Sequence, residues 1–328
     1  MWVSLTRENN VSLSLPSNGM MSMSDAEYLA WAELLKERIG IVLDLRRKSF
    51  LLSKLSIRMQ ELNINSYQDY FSYVNAGTAG RVEWEILVDR LTVHETRFFR
   101  DTRALSFITQ TYFEQLNFEN SIPNVHIWSV GCSTGEEPYS LMMYIDRYVK
   151  EKNKKCYLAV TASDVSRDAL ATAKKAIYHK DRLKQVDDKY AQDYLKHIDD
   201  NHYQVNDSLR ERICFNRINL INLGTNSVGK MEIILCQNVL IYFNRDTRIF
   251  ILNQLVDNLV PGGLLILGAG EISSWQHPDI NMIKYDGVLA FQRKVLVDDS
   301  NIADAAKIKS TAFQYTHKNN IDKKGCGE

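Results

Sequence analysis

Apolar positions along the chain follow two periods, and the change comes at Pro123. Before it, spacing is helical. Trp31, Leu34, Leu35 and Ile39 form one stripe behind Ser24–Asp25, a start signal because a serine side chain can accept a first-turn N–H. Leu45, Leu52, Leu55, Met59 and Leu62, at steps of +7, +3, +4 and +3, predict a second helix over 45–62 with one buried face. Further helices are expected over Tyr67–Val74, Val82–Asp89 and Ala104–Gln115. No proline interrupts this region.

After Pro123 short apolar runs alternate with helical ones. Strands are predicted at Val125–Val130, Tyr157–Thr161, Arg212–Ile218, Met231–Leu235 and Leu264–Leu267, with helices at Pro138–Lys150, Arg167–Ile177 and Asp246–Leu259. Such alternation implies a parallel, doubly wound sheet. Tyr285-Asp-Gly-Val288 reads as a hairpin turn, so an antiparallel strand within Met282–Lys294 should finish that sheet. Residues 179–211 are polar and break the alternation; they read as a small insertion able to form a short β-hairpin around His202–Val205. Residues 1–24 and 296–328 lack a sustained period and read as a disordered leader and tail.

Composition narrows the partners. Forty basic residues balance forty acidic ones, so no global field favours nucleic acid or an anionic membrane, and a charged partner must meet a local patch. The five cysteines are scattered with no C-x-x-C pair, which suggests reduced thiols and neither zinc nor another metal. No apolar run approaches the roughly 18–20 residues of a spanning helix, and the start lacks a signal-peptide pattern. A cytoplasmic monomer without membrane insertion is expected.

Four segments carry chemistry. In Trp128–Ser140 (WSVGCSTGEEPYS) a strand runs through Gly131 and Gly135 into a helix, a layout that presents unpaired N–H groups to a ligand. A pyrophosphate binder would keep this turn neutral, whereas Glu136 and Glu137 favour a cationic ligand such as an ammonium or sulfonium. The glutamates could equally complement the helix dipole. Asp164 ends the next strand, where open α/β folds hold a ribose, although an Asp before a helix is more often a cap. Gln237 and Asn238 end a later strand ahead of Tyr242, whose ring and hydroxyl could line the crevice. Leu91–Arg100 (LTVHETRFFR) joins the helical region to the sheet region and has the mixed character of a segment that folds over a cleft.

Together, HETRFFR, WSVGCSTGEEPYS, the Ser163–Asp164 strand end and CQNVLIYF (Cys236–Phe243), in this order, resemble the CheR-type chemotaxis methyltransferases over about residues 25–294. The resemblance implies an α/β fold, an S-adenosylmethionine-dependent methyltransferase (Rossmann-like) doubly wound sheet with an N-terminal helical domain and a small inserted β-subdomain. It divides the chain into a helical receptor-binding domain at 25–90, a linker and helix at 91–122, and a methyltransferase domain at 123–295 with the insertion at about 179–218. It implies methylation of glutamates on the cytoplasmic helical region of membrane chemoreceptors, with S-adenosylmethionine as donor. By motif, His94, Thr96 and Arg100 should close over the cofactor, Glu137, Gln237 and Asn238 should meet its amino-acid end, Asp164 its ribose, and Asn219 and Leu220 its adenine. Two positions depart: His94 stands where the family usually has Asn, and Gln237 where Arg is common. The insertion is also short, which favours an enzyme that does not dock a receptor tail peptide.

No general base is expected, because a glutamate with a reference pKa of about 4.3 is already ionised at neutral pH. The site must supply alignment and water exclusion. Arg100 is expected to hold the incoming carboxylate, and Tyr242 to position the methyl or the glutamate. On the second helix Arg47, Lys54 and Arg58 share a face, a candidate surface for an acidic receptor helix as against an ordinary solvated face. Rival readings are a nucleic-acid methyltransferase, which lacks its D/N-P-P-Y/F string here, and a non-enzymatic module that binds the same nucleotide. A nicotinamide enzyme would need a G-x-G-x-x-G that the first strand lacks.

Overall fold

The computed structural model describes residues 22–118, 122–225, 228–272 and 274–295, so the expected tail and residues 1–21 of the expected leader lie outside the described residues. Met23, the last apolar residue of that leader, is buried in the helical core.

The helical part holds α1 (Asp25–Ile39), α2 (Lys48–Glu61), α3 (Tyr67–Val74) and α4 (Gly77–Leu91). Ser24 caps α1 reciprocally: its hydroxyl accepts from Glu27 N, and the Glu27 carboxylate accepts from Ser24 N at 2.8 Å. Gly40 closes α1 in the left-handed region, φ 74°, which a side chain would resist. The second predicted helix begins with a 3-10 turn, Leu45–Arg47, and this shifts its face. Leu51, Leu55 and Met59 are buried, whereas Leu45 is 63% exposed and Leu52 only partly buried. The 3-10 turn winds faster than an α-helix, so Leu45 no longer stacks above the α2 stripe. Trp31 forms the hub of the core, its ring 5.4 Å from Tyr70 and 5.1 Å from Phe71.

Next come α5 (Thr102–Thr111), β1 (Asn124–Val130), α6 (Glu136–Glu151), β2 (Tyr157–Asp164) and α7 (Arg167–Lys175). The insertion contains β3 (Ile177–His179), α8 (Asp188–Tyr194), β4 (Leu195–Asp199) and β5 (His202–Val205). Then follow α9 (Asp207–Arg210), β6 (Ile213–Arg217), β7 (Met231–Cys236), α10 (Arg245–Asp257), β8 (Leu259–Leu267), β9 (Ile280–Tyr285) and β10 (Val288–Arg293). The large sheet has seven strands in the order β6-β2-β1-β7-β8-β10-β9. Its first five strands are parallel, and the β9–β10 hairpin closes it antiparallel, as the Asp286–Gly287 turn predicts. Alternate residues feed two cores. Ile127, Ile233 and Leu264 face the α6 side, while Trp128, Ile234 and Leu265 face the α10 side.

The insertion is wider and narrower than its sequence suggests. It forms a three-stranded sheet, β3-β5-β4, instead of a lone hairpin. Its far boundary lies before residue 213, because Ile213–Arg217 pair with β2 in the large sheet.

The helical part is fastened over the carboxyl ends of the strands. Glu85 on α4 pairs with Arg167 at 3.3 Å and with Arg217, and Asp89 accepts from Arg167 N at 2.8 Å. The Asn219 amide donates to the Arg38 carbonyl at 2.7 Å, and Val42 N donates to the Tyr242 carbonyl at 3.1 Å. Among the described residues no helix is long and apolar enough to cross a membrane.

Candidate functional site

Strand order reverses between β1 and β7, and such switch points open a crevice at the carboxyl ends of parallel strands. Gly131 leaves β1 with φ 70°, and a Cβ there would lie 2.3 Å from Val239 Cγ2. The missing side chain therefore lets the loop after β7 close against the loop after β1. Gly135 (φ 97°) is equally confined, since its Cβ would lie 2.8 Å from the Tyr178 hydroxyl.

The crevice has two lobes that share Gly131 and Tyr242. One is mainly apolar, walled by Ile39, Ile41, Ile218, Leu220, Val239 and Phe243, with Asp164 and Asn219 among its polar groups. The other is polar, lined by Thr96, Arg100, Ser133, Glu137, Gln237 and Asn238, with Glu95 beside them. Of the residues that the motifs assign to the cofactor, only His94 reaches neither lobe. Its ring nitrogen faces the Thr92 hydroxyl at 3.1 Å and the Asp89 carbonyl at 3.3 Å, so it packs on the end of α4.

The two glutamates of the turn separate. Glu136 is fully buried and points away, its carboxylate paired with Arg182 of the insertion and accepting from Thr134 Oγ1 at 2.6 Å. It fastens the insertion to α6 and offers nothing to the crevice. Glu137 alone faces the polar lobe, with Ser129 Oγ donating to it at 2.7 Å. Burial pushes its carboxyl up to about 7; the Ser129 hydrogen bond and Arg100 act the other way, and Glu271 adds to the rise. A group so poised gains much from a cation placed beside it.

Asp164 accepts from Ser133 N at 2.8 Å and from Ser166 N at 2.9 Å, so it braces the loop after β1 against the end of β2. The cap of α7 is Ser166, not Asp164. Burial raises the Asp164 carboxyl, while the two backbone donors and His94 oppose the rise. Ser133 Oγ is buried with no partner in the polar lobe, an orphan that a ligand atom would satisfy. Gln237 Nε2 donates to Asp101 at 3.0 Å, and Asp101 caps α5. Arg100 donates to the Glu95 carbonyl at 2.9 Å and stays exposed at the mouth. Tyr242 lies near Arg47 and Arg100, both of which pull its phenol down against a larger rise from burial.

The expected receptor face is not intact. Arg58 donates to both Glu83 oxygens, at 2.7 and 2.6 Å, and to Glu61 at 2.8 Å. Its side chain is only 15% exposed, and it neutralises a buried carboxylate that also accepts from Tyr70. Arg58 is thus a core ion pair and no docking residue. Arg47 remains exposed, and Lys54 lies 5.7 Å over the Phe50 ring.

Two features lay beyond sequence reasoning. Ile39 and Ile41, on either side of Gly40, wall the apolar lobe; their signal was an apolar run, Ile39–Leu43, continuing past a helix-ending glycine. Glu271 is fully buried and accepts from Val239 N, Leu240 N and Gly268 N at 2.6, 2.9 and 2.6 Å. Nothing in its loop-like surroundings, GAGEIS, marks it out.

Comparison with known proteins gives a consistent answer. A family model described as the CheR methyltransferase SAM-binding domain matches residues 94–286, and one described as the CheR methyltransferase all-alpha domain matches residues 26–92. The chain is 31% identical over 254 residues to chemotaxis protein methyltransferase 1 of Pseudomonas aeruginosa, covering 76% of this chain and 92% of that one. It is 27% identical over 271 residues to the chemotaxis protein methyltransferase of Borreliella burgdorferi, covering 81% and 93%. The corresponding protein of Klebsiella aerogenes is 29% identical over 254 residues, covering 76% and 84%.

Proposed function

Since the chain belongs to the CheR methyltransferase family and is an S-adenosylmethionine-dependent methyltransferase, we propose that it esterifies glutamate side chains on the cytoplasmic helical region of membrane chemoreceptors, acting as a cytoplasmic monomer. The observation that carries this reading is the two-lobed crevice. An apolar lobe with Asp164 and Asn219 suits an adenosine, and a polar lobe lined by Glu137 and Glu95 suits an aminobutyrate carrying a positive sulfur. The partnerless Ser133 hydroxyl supports a polar ligand on that side. When bound, S-adenosylmethionine supplies a methyl carbon that is electrophilic because its sulfur is cationic.

Each residue then has a physical task. Asp164 offers the free lone pairs of both oxygens to ribose hydroxyls, while Asn219 and Leu220 flank the base. Glu137 neutralises the cationic end, assisted by Ser133, Asn238 and Thr96. Gln237, tied to Asp101, contributes a polar wall but no charge. Arg100 and Tyr242 border the mouth, where a guanidinium orients an incoming carboxylate and a phenol excludes water from its path. No side chain needs to remove a proton, because the receptor glutamate arrives ionised. Arg47 and Lys54 present positive charge to an acidic helix.

Incubation with methyl-labelled S-adenosylmethionine and a receptor cytoplasmic fragment tests this directly. Base-labile label on the fragment is the expected result. Label that survives base, or that goes to nucleic acid, would overturn it.

A further inference from the structure

We propose that Glu271 is a positioning residue for methyl transfer: its buried carboxylate fixes the turn after β7 and so holds the segment Asn238–Phe243 that furnishes a wall to both lobes. The inference rests on the reading of the crevice given above. That segment contributes Asn238, Ile241 and Tyr242 to the polar lobe and Val239, Tyr242 and Phe243 to the apolar one.

Asn238 has φ 63°, a left-handed conformation that asparagine tolerates better than other residues with a side chain, though still at some cost. One residue holds the backbone donors that follow it. Glu271 Oε1 accepts from Val239 N and Leu240 N, and Oε2 accepts from Gly268 N, so the loops after β7 and β8 share one carboxylate. The backbone of Glu271 holds the rest. Its carbonyl accepts from Arg248 at 3.2 Å, and Arg248 in turn donates to the carbonyls of Phe243 at 2.8 Å and Ile241 at 3.3 Å. Gly268 completes the fit, because a Cβ there would lie 2.8 Å from Glu271 Oε2 and 3.0 Å from Asn238 N. With both oxygens accepting from backbone donors, Glu271 touches no ligand itself. It acts through Asn238, Val239 and Tyr242.

Three converging N–H groups demand an acceptor on every side. A glutamine of equal size would turn an NH2 toward one of them and release part of the turn. Full-length Glu271→Gln protein is therefore expected to melt cooperatively, yet to bind S-adenosylhomocysteine at least about tenfold more weakly by calorimetry. Its kcat, referred to the folded fraction read from the melt at the assay temperature, should fall while the KM for a receptor fragment stays within about twofold; a mere loss of folded protein would leave that corrected kcat unchanged. Gly268→Ala, which displaces the same carboxylate without removing it, should change the same quantities in the same direction, and it decides the matter alone if Glu271→Gln does not fold. Folded variants with wild-type affinity and kcat would overturn this inference alone. Wild-type protein that bound no S-adenosylhomocysteine would overturn the reading of the crevice, and this inference with it.

Discussion

At the scale of single residues, position was legible in the sequence and pairing was not. Glu137 and Asp164 were readable because a helix start and a strand end are places with fixed chemistry, whatever surrounds them. Glu136 beside them was left open between ligand and helix dipole, and its partner Arg182 could not be foreseen, because it lies 46 residues away in a segment without periodic pattern. Glu137 gives the sharpest prediction. Burial holds its carboxyl up to about 7 when the crevice holds no cation, against about 4.5 for an ordinary glutamate. A raised carboxyl pKa costs the unliganded protein stability as pH climbs from about 4.5 to about 7, and a bound cation recovers it. Affinity for S-adenosylmethionine should thus rise with pH up to about 7, by at most about tenfold per unit, and level off above. Calorimetry in buffers of different ionisation enthalpy should register a proton released on binding below pH 7, and Glu137→Gln should abolish both the release and the slope. A flat profile in the wild type would remove Glu137 from the cation's surroundings.

Elements were mostly legible. Both periods, the doubly wound sheet and the closing hairpin follow from spacing and turn chemistry, because each is a local consequence of burying one face. The insertion was less so. Its strands β3 and β4 are short and largely exposed, and without a buried face no alternation is imposed. The turn after β1 shows what local sequence does specify. Gly131 combines a positive φ with a Cβ position only 2.3 Å from Val239, so Gly131→Ala must move the loop after β7. The substitution is expected to leave the helical part folded, to cost about 1–3 kcal/mol of stability in a denaturant melt, and to abolish measurable cofactor binding. Wild-type affinity in that variant would show that the two loops are not packed as described.

For the whole molecule, balanced charge hides where charge is free. Sequence alone put Arg47, Lys54 and Arg58 on one helical face, but a helix pattern cannot tell what stands opposite. Glu83, on another helix, claims Arg58. The two arginines should therefore behave differently. Arg58→Glu leaves a buried carboxylate uncompensated and should destabilise the protein by at least about 3–5 kcal/mol. Arg47→Glu should leave the melt and cofactor affinity unchanged while slowing receptor methylation, most at low salt where attraction is least screened. A normal rate for Arg47→Glu at low ionic strength would mean that the receptor approaches elsewhere. The seam formed by Glu85, Asp89, Asn219 and Val42 joins the helical part to the sheet, and it explains why a wall of the apolar lobe comes from the far end of the sequence. Such distant closure leaves no trace in a local pattern.

The most direct measurement is a crystal structure of the full-length protein grown with S-adenosylhomocysteine. The account predicts the ribose against Asp164, the base between Asn219 and Leu220, and the amino-acid end beside Glu137 and Ser133. A ligand bound in the reverse sense, or outside the crevice between β1 and β7, would contradict it.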